Sequence, residues 1–180
     1  MRIACWCIGL LCSFTCYAEV WHDVVAYDIK FSIVNAGISV DGTFNSIRTN
    51  VHWNPDDLVH SSLQGTALVK SIQTGNTLRD RHLNEKVDFF HATQFPELHL
   101  SSTHIEAAKK VGIYHVDWML ELKGQQGTLQ SELFLYRVGV FEFITTRFKL
   151  QRQAWQLGSQ STSMSNNIDV TIVALLHPTI

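Results

Sequence analysis

The most polar ten residues of the chain, Thr74 to Leu83 (TGNTLRDRHL), hold two arginines, an aspartate and a histidine. These residue types serve acid–base catalysis, anion binding and metal ligation, and their spacing discriminates among the three. Asp80 and His82 stand two apart, and on a helix such residues point to different faces, so they do not form a dyad without a local bend. Arg79 and Asp80 fit better as groups that hydrogen-bond a helix to neighbouring loops. The chain contains no G-x-S-x-G elbow, no glycine-rich phosphate loop and no paired-carboxylate motif, so no enzyme and no catalytic residues are expected.

Metal chemistry is equally short of signals. Zinc sites announce themselves by histidines two apart on a strand or four apart on a helix, and none of the nine histidines has either spacing. His99, His104 and His115 are the set that convergence in space would have to unite. All four cysteines (Cys5, Cys7, Cys12 and Cys16) lie near the N-terminus, so neither a thiolate site nor a disulfide is expected in the remainder of the chain. No metal site is expected.

Directly after the polar segment come Phe89, Phe90 and Phe95, bulky apolar groups where a loop is ordinarily hydrophilic. They either plug a core beneath a lid or line the entrance of an apolar cavity.

The elements that would position these residues read mostly as strands. Tyr114, Val116, Trp118, Leu120 and Leu122 alternate with His115, Asp117, Glu121 and Lys123, the signature of a strand with one buried face. Comparable runs are Tyr27 to Val34, Thr43 to Trp53, Leu63 to Ile72, Glu97 to Ile105, Leu129 to Val138, Phe141 to Leu150 and Ile168 to Leu176. About eight strands is the number at which a closed barrel holds one small ligand. Turn signals between them (Asp41-Gly42, Asn54-Pro55-Asp56-Asp57, Lys123-Gly124 with Gly127, and the polar stretch 158–167) imply an antiparallel meander. Strand periodicity lapses from Thr74 to Pro96, where Asn76 can cap a helix, Thr77 and Asp80 form a weak capping-box pair, and Arg81 stands four before Glu85. The expected fold is a mainly β, antiparallel barrel of about eight strands with one short helical insertion near residues 76–92.

The N-terminus differs from the rest. An apolar stretch (IACWCIGLLCSFTC) follows Met1-Arg2, too short for a spanning helix, and Cys16-Tyr17-Ala18 has small-x-small character. Residues 1–18 are therefore expected to be a cleaved export signal, leaving one domain over residues 19–180 in the periplasm or outside the cell. From Glu19 onward 13 basic residues face 16 acidic ones, a net charge of −3 with no basic stripe, so nucleic acid is not an expected partner.

One stretch carries a family resemblance. Ser71 to Thr103 (SIQTGNTLRDRHLNEKVDFFHATQFPELHLSST) resembles the signature segment of the YceI-like family of exported lipid-binding proteins, in which S-I and T-G-N lead through R-D-x-H-L and D-F-F to an aromatic-proline pair and then a strand. Phe31-x-Ile33-x-Asn35-x-Gly37, Gly42-x-Phe44, Asn54-Pro55-Asp56-Asp57-Leu58, Arg152 and Trp155 extend the resemblance over essentially the whole chain after the signal. There are departures: Asn35 stands where a histidine is common, one residue is missing between Gly37 and Gly42, Lys123 replaces a histidine, Gln125-Gln126 displaces V-T-K, and Gln151-Arg152-Gln153-Ala154 replaces N-R-S-D.

The resemblance implies a lipocalin-like antiparallel β-barrel with a helical insertion and a long apolar cavity that binds a polyisoprenoid, quinone or fatty-chain lipid, with no resident cofactor. Positions expected to contact such a ligand are Phe31, Ile33, Trp53, Phe89, Phe90, Phe95, Leu100, Trp118, Leu120, Phe134, Phe143 and Trp155, with Asn76, Arg79, Asp80 and His82 at the cavity mouth. The expected function is that of a carrier or reservoir in the periplasm. The rival is a non-enzymatic interaction module of envelope stress or electron transport, whose interior would be solid. Transient membrane contact and a homodimer are compatible with either.

Overall fold

The computed structural model describes residues 21–178, and the expected export signal lies outside them. Apolar alternation builds the wall as anticipated. In β7 (Ile113–Leu122), Tyr114, Val116, Trp118, Leu120 and Leu122 are all buried while His115 is exposed. The other strands are β1 (Trp21–Asn35), β2 (Ile38–Phe44), β3 (Ile47–His52), β4 (Ser62–Leu68), β5 (Ile72–Gln73), β6 (Glu97–Ala107), β8 (Gln125–Val138), β9 (Phe141–Gln151) and β10 (Met164–Pro178), and the described residues hold one α-helix, α1 (Thr77–Glu85).

Every pairing is antiparallel, and β10 returns to β1 from His22 opposite Pro178 to Asn35 opposite Met164, which closes the sheet. The segments β2 and β3 form one strand broken at Asn45-Ser46, and β4 and β5 form another broken by a 3-10 turn at Val69–Ser71. Counted this way the fold is a closed eight-strand antiparallel barrel with one short helix. Closure leaves some stretches paired on one side only, and one of them lies in β1. The strand β3 meets β1 at Trp21 and His22, and β2 meets it from Lys30 onward, so residues 23–29 have a ladder to β10 on one side only. The Tyr27 hydroxyl spans this gap, donating to the Asn45 carbonyl at 3.1 Å and accepting from the Ile47 amide at 3.3 Å.

Several local expectations need correction. Asp41-Gly42 is not a turn, because the hairpin falls at Ala36 and Gly37, both at positive φ (50° and 78°). Gly42 sits inside β2 opposite Phe31, and a Cβ there would lie 2.2 Å from that ring, so this glycine is set by aromatic packing rather than by a turn. The turn at Lys123 and Gly124 is present with both φ positive (52° and 70°), as a two-residue type I′ hairpin requires. Gly127 belongs to β8 instead, and α1 covers less than the stretch expected to be helical.

Buried apolar side chains form three clusters, one of them made of Leu120, Leu122, Trp155 and Leu157. Around the end where β1 starts, Val51, Trp53, Leu63, Ile105, Tyr114, Val116, Leu133 and Leu176 form the main buried cluster, with Trp53 and Tyr114 edge-to-face at 4.8 Å. Toward the other end, Phe44, Ala67 and Ile72 pack with Phe31, Leu83 and Phe90, tying α1 to the wall.

Candidate functional site

Between these regions the barrel is hollow. The cavity has a volume of about 580 Å³, within the range of about 300–1,000 Å³ typical of small-molecule sites. Val24, Ile29, Phe31 and Ile33 of β1 line it, as do Leu98 and Leu100 of β6, Trp118, Leu120 and Leu122 of β7, and Ile168, Val170 and Ile172 of β10. Gly65 in β4, paired with Thr49 and Leu100, is also in the lining, and a Cβ added there would meet no atom within 4 Å. Two polar side chains of this wall are paired within the protein: the Trp118 indole donates to Ser131 Oγ at 2.8 Å, and the Thr146 hydroxyl shares a 2.7 Å hydrogen bond with that of Ser131. The wall therefore offers a ligand apolar surface, and its contribution is hydrophobic.

At the end where β1 finishes, α1 lies across the barrel. Its cap is Asn76, whose Oδ1 accepts from the Arg79 amide at 3.0 Å, the position expected of an N-cap side chain. Asp80 does not complete a capping box with Thr77. Its Oδ1 instead accepts from the Thr74 amide at 2.9 Å and the Thr74 hydroxyl at 2.5 Å. Arg79 closes the same staple, donating through Nε to Thr74 Oγ1 at 2.7 Å and through Nη2 to the Thr74 carbonyl at 2.6 Å. The polar decapeptide thus pins the helix to the strand that precedes it, while Leu83, Phe89 and Phe90 on its far side join the cavity lining.

A second cation lies on the facing side of this end. Arg152, in a 3-10 turn (Arg152–Trp155) after β9, is only 1% exposed and also lines the cavity. Its guanidinium donates to the carbonyls of Ser165, Leu157, Gly158, Ser159 and Met164 at 2.9 to 3.4 Å. These bonds gather the whole crossover into β10. Lys123, expected on the outer face of β7, is buried instead, and its Nζ donates to the Gln156 carbonyl at 2.5 Å. Burial lowers its pKa below the usual 10.5, against a smaller raising effect of Asp88.

The structure brings together Phe31, Ile33, Phe89, Phe90, Leu100, Trp118 and Leu120 around the cavity, with Asn76, Arg79 and His82 at its helical end. The remaining expected contacts lie elsewhere. Trp53 is 1% exposed within the packed cluster, held against Tyr114. Phe95 covers Gly124, and Trp155 covers Gly127, each ring standing where a side chain would otherwise be. Phe134 is 39% exposed, and Phe143 stacks on Tyr136 at 4.9 Å, on the outer face of the β8–β9 hairpin. Asp80 faces Thr74 and is outside the lining. Phe44, Phe148, Gly65 and Arg152 line the cavity without having been expected there. For Phe148 the signal was its place in the Phe141 to Leu150 alternation, two residues from Leu150. An inward glycine leaves no such trace.

The opposite end is chemically different. Glu142 is buried there between Arg137, whose Nη2 lies 2.5 Å from its carboxylate, and His22, whose Nε2 lies at 3.6 Å. Tyr114 close by has its pKa raised above 10.0, chiefly by burial, with Arg137 opposing and Glu142 and Asp56 adding to the rise. His99, His104 and His115 are distributed along the sheet: His99 contacts Thr66 and Glu97, His104 lies beside Glu106, and His115 pairs across with Glu106. Among the described residues no three His, Asp or Glu side chains gather as metal ligands.

Comparison with known proteins follows this geometry. The family model of the YceI-like domain matches residues 22–175. Among curated proteins none matches. The crystal structure of Burkholderia cenocepacia BcnA superposes with a TM-score of 0.79 at 18% identity, covering 86% of this chain and 98% of that one. A polyisoprenoid binding domain from Saccharophagus degradans, implicated in plant cell wall breakdown, gives 0.67 at 13% identity, covering 89% and 99%. The YceI protein of Campylobacter jejuni gives 0.68 at 17% identity, covering 77% and 84%. At these identities the likeness establishes the fold.

Proposed function

The chain belongs to the YceI-like family, and on that premise we propose that it is an exported, non-enzymatic binding protein that holds the tail of an isoprenoid, quinone or fatty-chain lipid inside its barrel. The observation that carries this reading is the hollow itself: about 580 Å³ bounded mainly by aliphatic and aromatic side chains. A polyisoprenoid binding domain among the structural neighbours supports the same ligand class. The rival interaction module needs an interior filled by its own side chains, and the open space beside Gly65 weighs against it.

Energetics favour a carrier or reservoir over a tight trap. Burying a CH₂ group stabilises by about 0.8 kcal/mol relative to water, so a tail has a large incentive to leave water for the barrel. A bilayer offers nearly the same gain, which leaves transfer between membrane and protein close to neutral and therefore reversible. Periplasmic or extracellular residence rests on the apolar leader of residues 1–18.

The test is organic extraction of protein purified from its own cells, followed by mass analysis of the extract and add-back to the stripped protein. The expected result is a long-chain lipid that rebinds at one equivalent per chain. An extract without such a lipid, together with no uptake of an added polyprenol, quinone or fatty acid, overturns the reading.

A further inference from the structure

The charges around the cavity are lopsided. Its lining includes Arg79, Arg152 and His82 at the helical end, and among the described lining residues there is no aspartate or glutamate. Neither arginine has a carboxylate within ion-pair distance among the described residues. From this we propose that the helical end of the cavity receives an anionic head group, a carboxylate or a phosphate carried on a long apolar tail. The inference rests on the reading that the barrel holds such a tail, and it specifies the class of the polar end.

Arg152 supplies the stronger half of the argument. A guanidinium buried in an apolar setting is costly unless it is compensated, and a carboxylate is the usual compensation. Here the compensation is main-chain dipoles alone. Nη1 serves three carbonyls with two hydrogens, while Nη2 has one contact at 3.4 Å, so donor capacity is left on Nη2. The positive charge itself stays unneutralised beside a low-dielectric hollow, where an incoming anion gains most.

Arg79 is the second half. Its Nε and Nη2 are spent on Thr74, which fixes the plane of the guanidinium and lowers the entropy cost of using what remains. The nearest acid in sequence, Asp80, meets Arg79 only through the Thr74 hydroxyl, which donates to Asp80 Oδ1 and accepts from Arg79 Nε, so the outer guanidinium nitrogens carry no direct ion pair among the described residues. Two held guanidinium groups at the end of an apolar tunnel suit charge-assisted bonds to a carboxylate or phosphate. A neutral quinone or prenol would leave both charges unmet.

The test measures binding of ligands paired by tail, palmitate against hexadecanol and farnesyl monophosphate against farnesol, below micelle-forming concentrations, on the wild-type chain and on Arg79→Gln. The expected result is that the anionic member of at least one pair binds about tenfold tighter or better, and that Arg79→Gln shrinks the ratio of anionic to neutral affinity within that pair. Which pair shows the gap tells carboxylate from phosphate. Equal binding of both members overturns the head-group inference and leaves the tail reading standing. Binding of no member overturns the tail reading and this inference with it. A wild-type gap that survives intact in Arg79→Gln overturns the placement of the head group at Arg79, and Arg152→Lys, which keeps the charge but loses the planar fork, then reports whether Arg152 alone holds it.

Discussion

The two ends of this barrel use the same sheet in opposite ways. Where β1 begins, Trp53, Tyr114, Val116 and Leu133 fill the bore, and the buried acid Glu142 is held between Arg137 and His22. Where β1 finishes, the wall residues stand back from one another around open space, and neither Arg79 nor Arg152 has a carboxylate within ion-pair distance among the described residues. The first end is complete without a ligand in both volume and charge. The second is complete in neither, and that contrast locates function more sharply than any single residue does.

Substitutions at the two ends should therefore fail differently. The largest effect is expected for Trp53→Ala, which removes a fully buried indole from the packed end and should cost about 3–5 kcal/mol in denaturant unfolding. Lipid affinity per folded molecule should change little. Asp80→Ala breaks the Thr74 staple and should cost about 1–3 kcal/mol, with faster hydrogen exchange confined to α1 and its flanks. Loss of protection spread over β7 and β8 instead would contradict a local staple. Gly65→Leu reverses the pattern, because a Cβ there meets no atom within 4 Å and the side chain takes up space in the hollow, so lipid affinity should fall about tenfold or more while stability holds within about 1 kcal/mol. Unchanged affinity would show that the tail does not pass β4.

Smaller effects sharpen the comparison. Tyr27→Phe removes both hydrogen bonds across the gap between β1 and β3, and should cost about 0.5–1.5 kcal/mol with deprotection of the Ile47 amide. The weakest signal is in alkaline pH. Tyr114 has a raised pKa, so its contribution is whole below 10.0 and is lost as pH climbs through the folded value. Lys123 has a lowered pKa, so the unfolded chain holds the extra proton and stability rises with pH on the approach to 10.5. Tyr114→Phe should flatten the alkaline loss and leave the Lys123 rise visible in a pH series of melting temperatures.

What was legible in the sequence follows from what leaves a periodic trace. Strands with one buried face do, and the alternation from Tyr114 to Leu122 marks β7 almost residue by residue. The cap at Asn76 was legible because capping chemistry is local. Breaks within strands were not, since the step at Asn45-Ser46 depends on which neighbour each half meets, and no side-chain pattern encodes that. The cavity residues divide on the same principle. Phe31, Ile33, Trp118 and Leu120 were placed by alternation, which distinguishes inside from outside. Trp53 was misplaced because alternation does not distinguish a packed bore from an empty one. Phe134 and Phe143 were expected to contact ligand, but they have the opposite parity from Leu133 and Ile144, and on the β8–β9 hairpin Phe143 stacks with Tyr136 on the outer face. Arg152 could not be read as a cavity group, since five carbonyls spread over the crossover position it.

The central claim is that a hydrocarbon tail lies in the hollow between the two ends, and Trp118 is the tryptophan in its lining. Quenching of tryptophan fluorescence by a brominated fatty acid and a brominated polyprenol, compared between the wild-type chain and Trp118→Phe, tests it most directly. Saturable quenching in the wild type that largely vanishes in Trp118→Phe is the predicted result. No saturable quenching with either chain, or equal quenching in both proteins, would contradict it.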